Sequence, residues 1–171
     1  MKVLLLFTGG TISMVRDAET GALHPADMQT FKAFVPELFA GDIQVDMIPF
    51  EPLLDSSDLN PDNWRQMARV VQENYDAYDG FVILHGTDTM AYSASALSFM
   101  FDNLCKPIVF TGSQLPVGVL RSDAKENILT AIEIAAAYDT DGKAIVPEVV
   151  LYMDGELYRG NRATKRNAEH F

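Results

Sequence analysis

Short runs in which every position is apolar alternate along this chain with longer stretches whose apolar residues recur at helical spacing. Such alternation predicts βαβ units on a mostly parallel sheet. Residues 3–7 are apolar at each position and predict a strand covered on both faces. Residues 8–27, rich in Gly, Thr and polar side chains, read as a mobile loop. Met28, Phe31, Phe34, Val35 and Leu38 then place a helix over 28–39. Residues 43–50 alternate as a strand, with Pro49 and Pro52 expected to end it. Asn60 as N-cap and Pro61 at the first helical position open a helix to about Tyr78, burying Trp64, Met67, Val70 and Val71. A strand at 81–84 follows, then a helix at 90–104 with Ala91, Ala94, Ser95 and Ser98 on one face. A strand at 107–111, a helix capped by Ser122 and Asp123 and running through Tyr138, and a strand at 146–153 complete the series. The pattern predicts one doubly wound α/β domain over residues 1–171, its sheet mostly parallel and flanked by helices.

In that architecture ligands sit at the carboxyl ends of the strands, and the polar clusters of this chain fall there. Thr8-Gly9-Gly10-Thr11-Ile12 follows the first strand, and its two glycines permit a sharp turn close to a ligand. A phosphate-cradling loop fits poorly: there is no GxGxxG, no Lys-Ser/Thr after the glycines, and the next helix starts far beyond Gly10. A plain tight turn explains the segment equally well. His85-Gly86-Thr87-Asp88-Thr89 is denser. Helix capping accounts for one of Thr87, Asp88 and Thr89, but not for all three beside His85. Thr111-Gly112-Ser113-Gln114 lies at a third strand end. Taken alone, Lys165 reads as a solvated lysine and Asp55-Ser56-Ser57-Asp58 as a helix lead-in. Together these segments describe a site with several hydroxyls, a carboxylate and an amine. His24, His85 and His170 are too dispersed for a zinc site, and His85 reads as a structural hydrogen-bonder.

Charge narrows the partners. Thirteen Lys and Arg against 24 Asp and Glu give a net charge of −11, which disfavours nucleic acid and anionic membranes. The one basic cluster, Arg159, Arg162, Lys165 and Arg166, is modest. A small neutral substrate is expected. Cys105 is the only cysteine, so no disulfide framework or CxxC site exists, and a reducing, cytoplasmic setting is expected. The opening apolar run is too short for a signal peptide and is cut off by Thr8-Gly9-Gly10. No stretch approaches the roughly 20 apolar residues of a membrane span.

TGGTI at 8–12 together with HGTDTM at 85–90 resembles the two signature segments of the bacterial-type asparaginase and glutaminase family. VILHGTDTMAYSASALSFM and LYRGNRATK look like its cytoplasmic, type I branch. The resemblance implies an amidohydrolase that converts L-asparagine to L-aspartate and ammonia, with no metal or organic cofactor. It implies Thr11 as the nucleophile of an acyl-enzyme, and Thr87, Asp88 and Lys165 as a second catalytic constellation. Whether that constellation's threonine activates water, relays a proton or attacks directly is left open by the motif. Ser56, Ser57 and Asp88 would hold the substrate's α-amino and α-carboxyl groups, and backbone N–H groups near Thr87 and Ser113 would face the oxyanion. The full-length form is expected to be a homo-oligomer, a dimer or tetramer. Two departures stand out. The family often carries a tyrosine on the loop after TGGTI, where 21–25 here offers only His24. Family members also carry a second domain, whereas this chain stops just after Lys165, so it is expected to fold but to hydrolyse asparagine feebly or not at all. Two other readings remain open at this point. One is a non-catalytic module in which Thr11 and Asp88 hold an amino acid; the other is an ammonia-generating amidotransferase subunit, which usually has an amino-terminal extension.

Overall fold

Runs with no polar break become the centre of the sheet. The computed structural model describes residues 1–17 and 20–167. In chain order its elements begin with β1 (Lys2–Gly9), β2 (Met14–Arg16), β3 (Leu23–Pro25), α1 (Met28–Phe34), β4 (Gln44–Leu54) and α2 (Pro61–Asn74). They continue with β5 (Gly80–Leu84), α3 (Met90–Met100), β6 (Ile108–Thr111), α4 (Ala124–Ala135), β7 (Val149–Met153) and β8 (Glu156–Arg159). The main sheet has the order β4-β1-β5-β6-β7-β8, and every neighbour is parallel except the antiparallel β7–β8 pair. β2 and β3 form a separate antiparallel hairpin.

Successive side chains of a strand point to opposite faces, so each continuous apolar run feeds two cores. Val3, Leu5, Phe7, Val82 and Leu84 meet Phe31 of α1 and Ile128 and Ile132 of α4 on one face. Leu4, Leu6, Phe81 and Ile83 meet Met67 and Val71 of α2 and Ala94 and Leu97 of α3 on the other. This is the doubly wound arrangement, and it leaves the carboxyl ends of β1, β4, β5 and β6 on a common edge. Among the described residues, no helix is long and apolar enough to cross a membrane.

Several boundaries differ from those expected. The helix at 28–39 stops at Phe34, because Pro36 drives Val35 out of helical geometry (φ −128°, ψ 60°) and only a 3-10 turn follows at Pro36–Phe39. β4 does not end at Pro49 but runs past Pro52 to Leu54. It pairs with β1 alone, and a strand bonded on one side tolerates missing N–H donors. α2 ends at Asn74 rather than near Tyr78, and the Lys106 amine donates to the freed carbonyls of Tyr75 and Tyr78. Trp64 and Val70 are only half-buried. α3 and α4 also stop short of the expected ends, and β7 begins at Val149. The stretch read as a loop after β1 holds the β2–β3 hairpin, and β8 is an added edge strand. His170 lies outside the described residues.

Candidate active site

Glycine brings the turns after β1 and β5 into contact. Gly10 sits at φ 81°, and a Cβ there would lie 2.4 Å from Gly86 N and 2.6 Å from Gly86 Cα, so the two backbones touch. A Cβ on Gly86 would in turn fall 2.3 Å from Ser56 Oγ, in the turn after β4. Hydroxyls tie the same junction. Thr8 Oγ1 donates to Leu84 O at 2.6 Å, Ser13 Oγ to Gly10 O at 2.7 Å, and Thr89 Oγ1 to Ser56 O at 2.6 Å. The turn after β6 is fixed next to it. His85 N–H donates to Thr111 O at 2.9 Å and Asn127 Nδ2 to Gly112 O at 2.9 Å, while the Asp123 carboxylate accepts from the N–H groups of Gln114 and Leu115.

These turns enclose a cavity of about 340 Å³ whose wall includes Thr11, Asp55, Ser56, Gly86, Thr87 and Asp88. Lys165, which is not itself on that wall, comes from beyond β8 to Thr87 and Asp88, after the 3-10 turn Gly160–Arg162 that lies against α3. Its Nζ donates to Thr87 Oγ1 at 2.9 Å and lies 3.3 Å from Asp88 Oδ1. The lysine side chain is 11% exposed and that of Asp88 70%, so the amine is largely shielded while the carboxylate opens to solvent. Lys165 and Asp88 also line an adjoining cavity of about 240 Å³. Of the residues singled out from sequence, Thr11, Ser56, Thr87, Asp88 and Lys165 are thus brought together.

Ser57 and Ser113 are not on this wall. Ser57 is exposed, and its N–H and Oγ donate to Asp55 Oδ1 at 2.9 and 2.8 Å, which holds that carboxyl below its ordinary range. Ser113 is buried and spends its hydroxyl on Leu115 O at 2.5 Å. His24, exposed on β3 with Nδ1 3.1 Å from Pro25 O, is absent from the wall, although Pro25 is part of it. His85 is 1% exposed, its Nδ1 is 2.7 Å from Gly86 O, and burial pushes its pKa down to about 4. Among the described residues, no group of three or more His, Cys, Asp or Glu side chains could hold a metal ion.

Sequence reasoning missed Thr8, Thr89, Asp123 and Asn127 as builders of the site. For Asn127 a signal existed, since it is a polar residue at a helix position otherwise facing the core. For Thr89 there was none, because an N-cap position already accounted for it; its hydroxyl makes no cap and serves Ser56 instead. A larger cavity of about 610 Å³ lies between the carboxyl ends of α2 and α3, away from the strand ends, and has none of these hydroxyls or the amine. Two threonine hydroxyls and a carboxylate thus share one cavity wall, and a shielded amine is hydrogen-bonded to one of those threonines from outside the wall.

Residues 2–171 match the family model described as "Asparaginase, N-terminal". L-asparaginase 1 of Escherichia coli (strain K12) is 45% identical over 170 residues, covering 99% of this chain and 48% of that protein. The L-asparaginase of Dirofilaria immitis is 42% identical over 188 residues, covering 95% of this chain and 31% of that protein. The crystal structure of L-asparaginase I from Vibrio cholerae O1 biovar eltor str. N16961 matches with a TM-score of 0.86 at 44% identity, covering 99% of this chain and 49% of that one. The chain therefore spans about half the length, or less, of these relatives.

Proposed function

The chain belongs to the asparaginase family, and from that we propose that it carries the reacting groups of an amidohydrolase converting L-asparagine to L-aspartate and ammonia. Thr11 Oγ attacks the side-chain amide carbon, the C–N bond breaks to release ammonia, and water hydrolyses the resulting ester to free aspartate and Thr11. Thr87, Lys165 and Asp88 move the protons: one from the Thr11 hydroxyl to the departing nitrogen, then one from the attacking water. A threonine hydroxyl is a weak nucleophile and needs a base, or a hydrogen-bonded relay to one, beside it. Ser56 and Asp88 bind the α-amino and α-carboxyl groups, and Ser57 acts at one remove by holding Asp55. The backbone N–H of Thr87 faces the oxygen that becomes negative, a donor of that kind being worth about 3 kcal/mol. No metal or organic cofactor takes part.

One observation carries this reading: the Lys165 amine lies 2.9 Å from the Thr87 hydroxyl although 78 residues separate them in the chain. A surface lysine has no reason to be there. Residues 1–171 alone turn asparagine over slowly, because Asp88 is 70% exposed and water weakens every charge interaction beside it. The exposed apolar side chains Tyr92, Phe99 and Leu120 support association as a dimer or tetramer. The lone Cys105 supports a reducing, cytoplasmic setting.

The test is ammonia release from L-asparagine by residues 1–171 and by Thr11→Val, Thr87→Val and Lys165→Met. Each substitution should lower the rate by about a thousandfold or more, as when a member of a catalytic triad is removed. If Thr11→Val keeps most of the activity, Thr11 is not the nucleophile. Aspartate binding without any turnover would make the chain an amino-acid-binding module instead.

A further inference from the structure

We propose that His85 is a positioning residue whose side chain aims the Thr87 N–H into the cavity by holding the other end of the same peptide. A carbonyl only accepts, so the 2.7 Å contact between His85 Nδ1 and Gly86 O requires the proton on Nδ1. Nε2 then carries a lone pair, and it is buried with no partner among the described residues. The ring is 1% exposed and rests edge-on to Phe110, with centroids 5.7 Å apart. Protonating Nε2 would leave a charged N–H in apolar surroundings, so burial keeps the ring neutral down to about pH 4. His85 is therefore a fixed, uncharged donor with one target.

That target has a second end. Gly86 C=O and Thr87 N–H belong to one planar trans peptide and point in opposite directions. Holding the carbonyl sets the direction of the N–H. Gly86 cannot do this by itself, since a glycine lacks the side chain that would restrict its backbone. Its Cα is packed against Gly10 and Ser56, which fixes its place but not the rotation of the peptide that follows. Thr87 lies on the cavity wall, and among the described residues its N–H has no acceptor. A donor bonded to Gly86 O also polarises the peptide, which strengthens the N–H at its far end. The inference rests on the reading of Thr87 N–H as a donor to the reacting oxygen, but its central claim concerns geometry.

Nitrogen-15 spectra of the imidazole and of the Thr87 backbone amide in residues 1–171 test it, with His85→Phe and His85→Asn as variants. Phenylalanine keeps the ring and loses the donor; the asparagine Nδ2 stands close to where Nδ1 was. We expect a ring protonated on Nδ1 that does not titrate between pH 5 and 8. The Thr87 amide resonance should move in His85→Phe and return most of the way in His85→Asn. In the ammonia assay His85→Phe should lower kcat about tenfold with little change in KM, and His85→Asn should recover most of it. A ring protonated on Nε2, a ring titrating near 6.5, or a Thr87 amide unmoved in His85→Phe would overturn the proposal. If no protein releases ammonia, the proposed activity fails while the spectra still decide the role of His85.

Discussion

An alanine at position 10 would place its Cβ against two backbone atoms of Gly86, at 2.4 and 2.6 Å, on a residue whose φ is 81°. Neither obstacle is a flexible side chain that could swing away. With ψ at 175° this backbone conformation is essentially confined to glycine and costs any other residue about 1–3 kcal/mol, and relieving the contact means separating the turns that carry Thr11 and Thr87. Gly10→Ala should therefore lower stability by at least about 2 kcal/mol and remove most ammonia release, as read from urea midpoints and the asparagine assay. A variant that retained both would show that the turns do not touch. At this scale sequence revealed chemistry better than partnership. Thr87 and Asp88 stood out because capping could not employ every polar residue of their turn. Lys165 could be assigned only by resemblance, since nothing local distinguishes it from a solvated lysine and its contact spans 78 positions. Ser57 and Ser113 look in sequence like further site hydroxyls, yet both hydroxyls bond to their own loops, which no pattern of residue types foretells.

Elements were legible where their signals are local. The start of α2 is an example: Asn60 Oδ1 accepts from Asp62 N–H and Asn63 Oδ1 from Asn60 N–H, both at 2.9 Å, with Pro61 at the first helical position. Asn60→Ala removes the first of these bonds and should cost about 1 kcal/mol, or about 3 °C in Tm for a domain of this size. Asn60→Ser should restore most of the loss, and calorimetry of the three proteins decides it. If alanine is as stable as asparagine, the cap does not hold the helix. Elements were misjudged where their signals depend on neighbours. Pro49 and Pro52 stop a central strand but not β4, whose edge position is settled by strand order. β8 is exposed at all four positions, so it has no buried face to imprint an apolar pattern. β2 and β3 are three residues each and leave no periodicity to read.

For the whole molecule, the layered architecture follows from the alternation of apolar runs and helical patterns, whereas the convergence of its strand ends follows from packing between residues far apart. Acid stability is a property of this whole. Asp27, Glu37, Asp46 and Asp55 are each held below their ordinary 3.8 or 4.5: Asp27 by the Thr30 N–H, Glu37 by Lys125, Asp46 by Lys2 and Asp55 by the Ser57 N–H. Stability from such carboxylates is complete above those ordinary values and is lost only as pH falls through the lower folded ones. His85 acts earlier. Its folded pKa of about 4 lies below the ordinary 6.5, so between these values the unfolded chain binds a proton that the folded one refuses. Stability therefore falls as pH drops from about 6.5 to about 4, by on the order of 3 kcal/mol for a shift of that size. Neutralising carboxylates on a chain of net charge −11 relieves repulsion and works the other way. That effect is common to wild type and His85→Asn, so it cancels when the two are compared. Urea midpoints between pH 7 and 4.5 should decline more steeply for wild type than for His85→Asn, which has no ring to protonate. Parallel declines would mean that the His85 ring accepts its proton inside the folded protein, and that the core around it is wetter than its burial indicates.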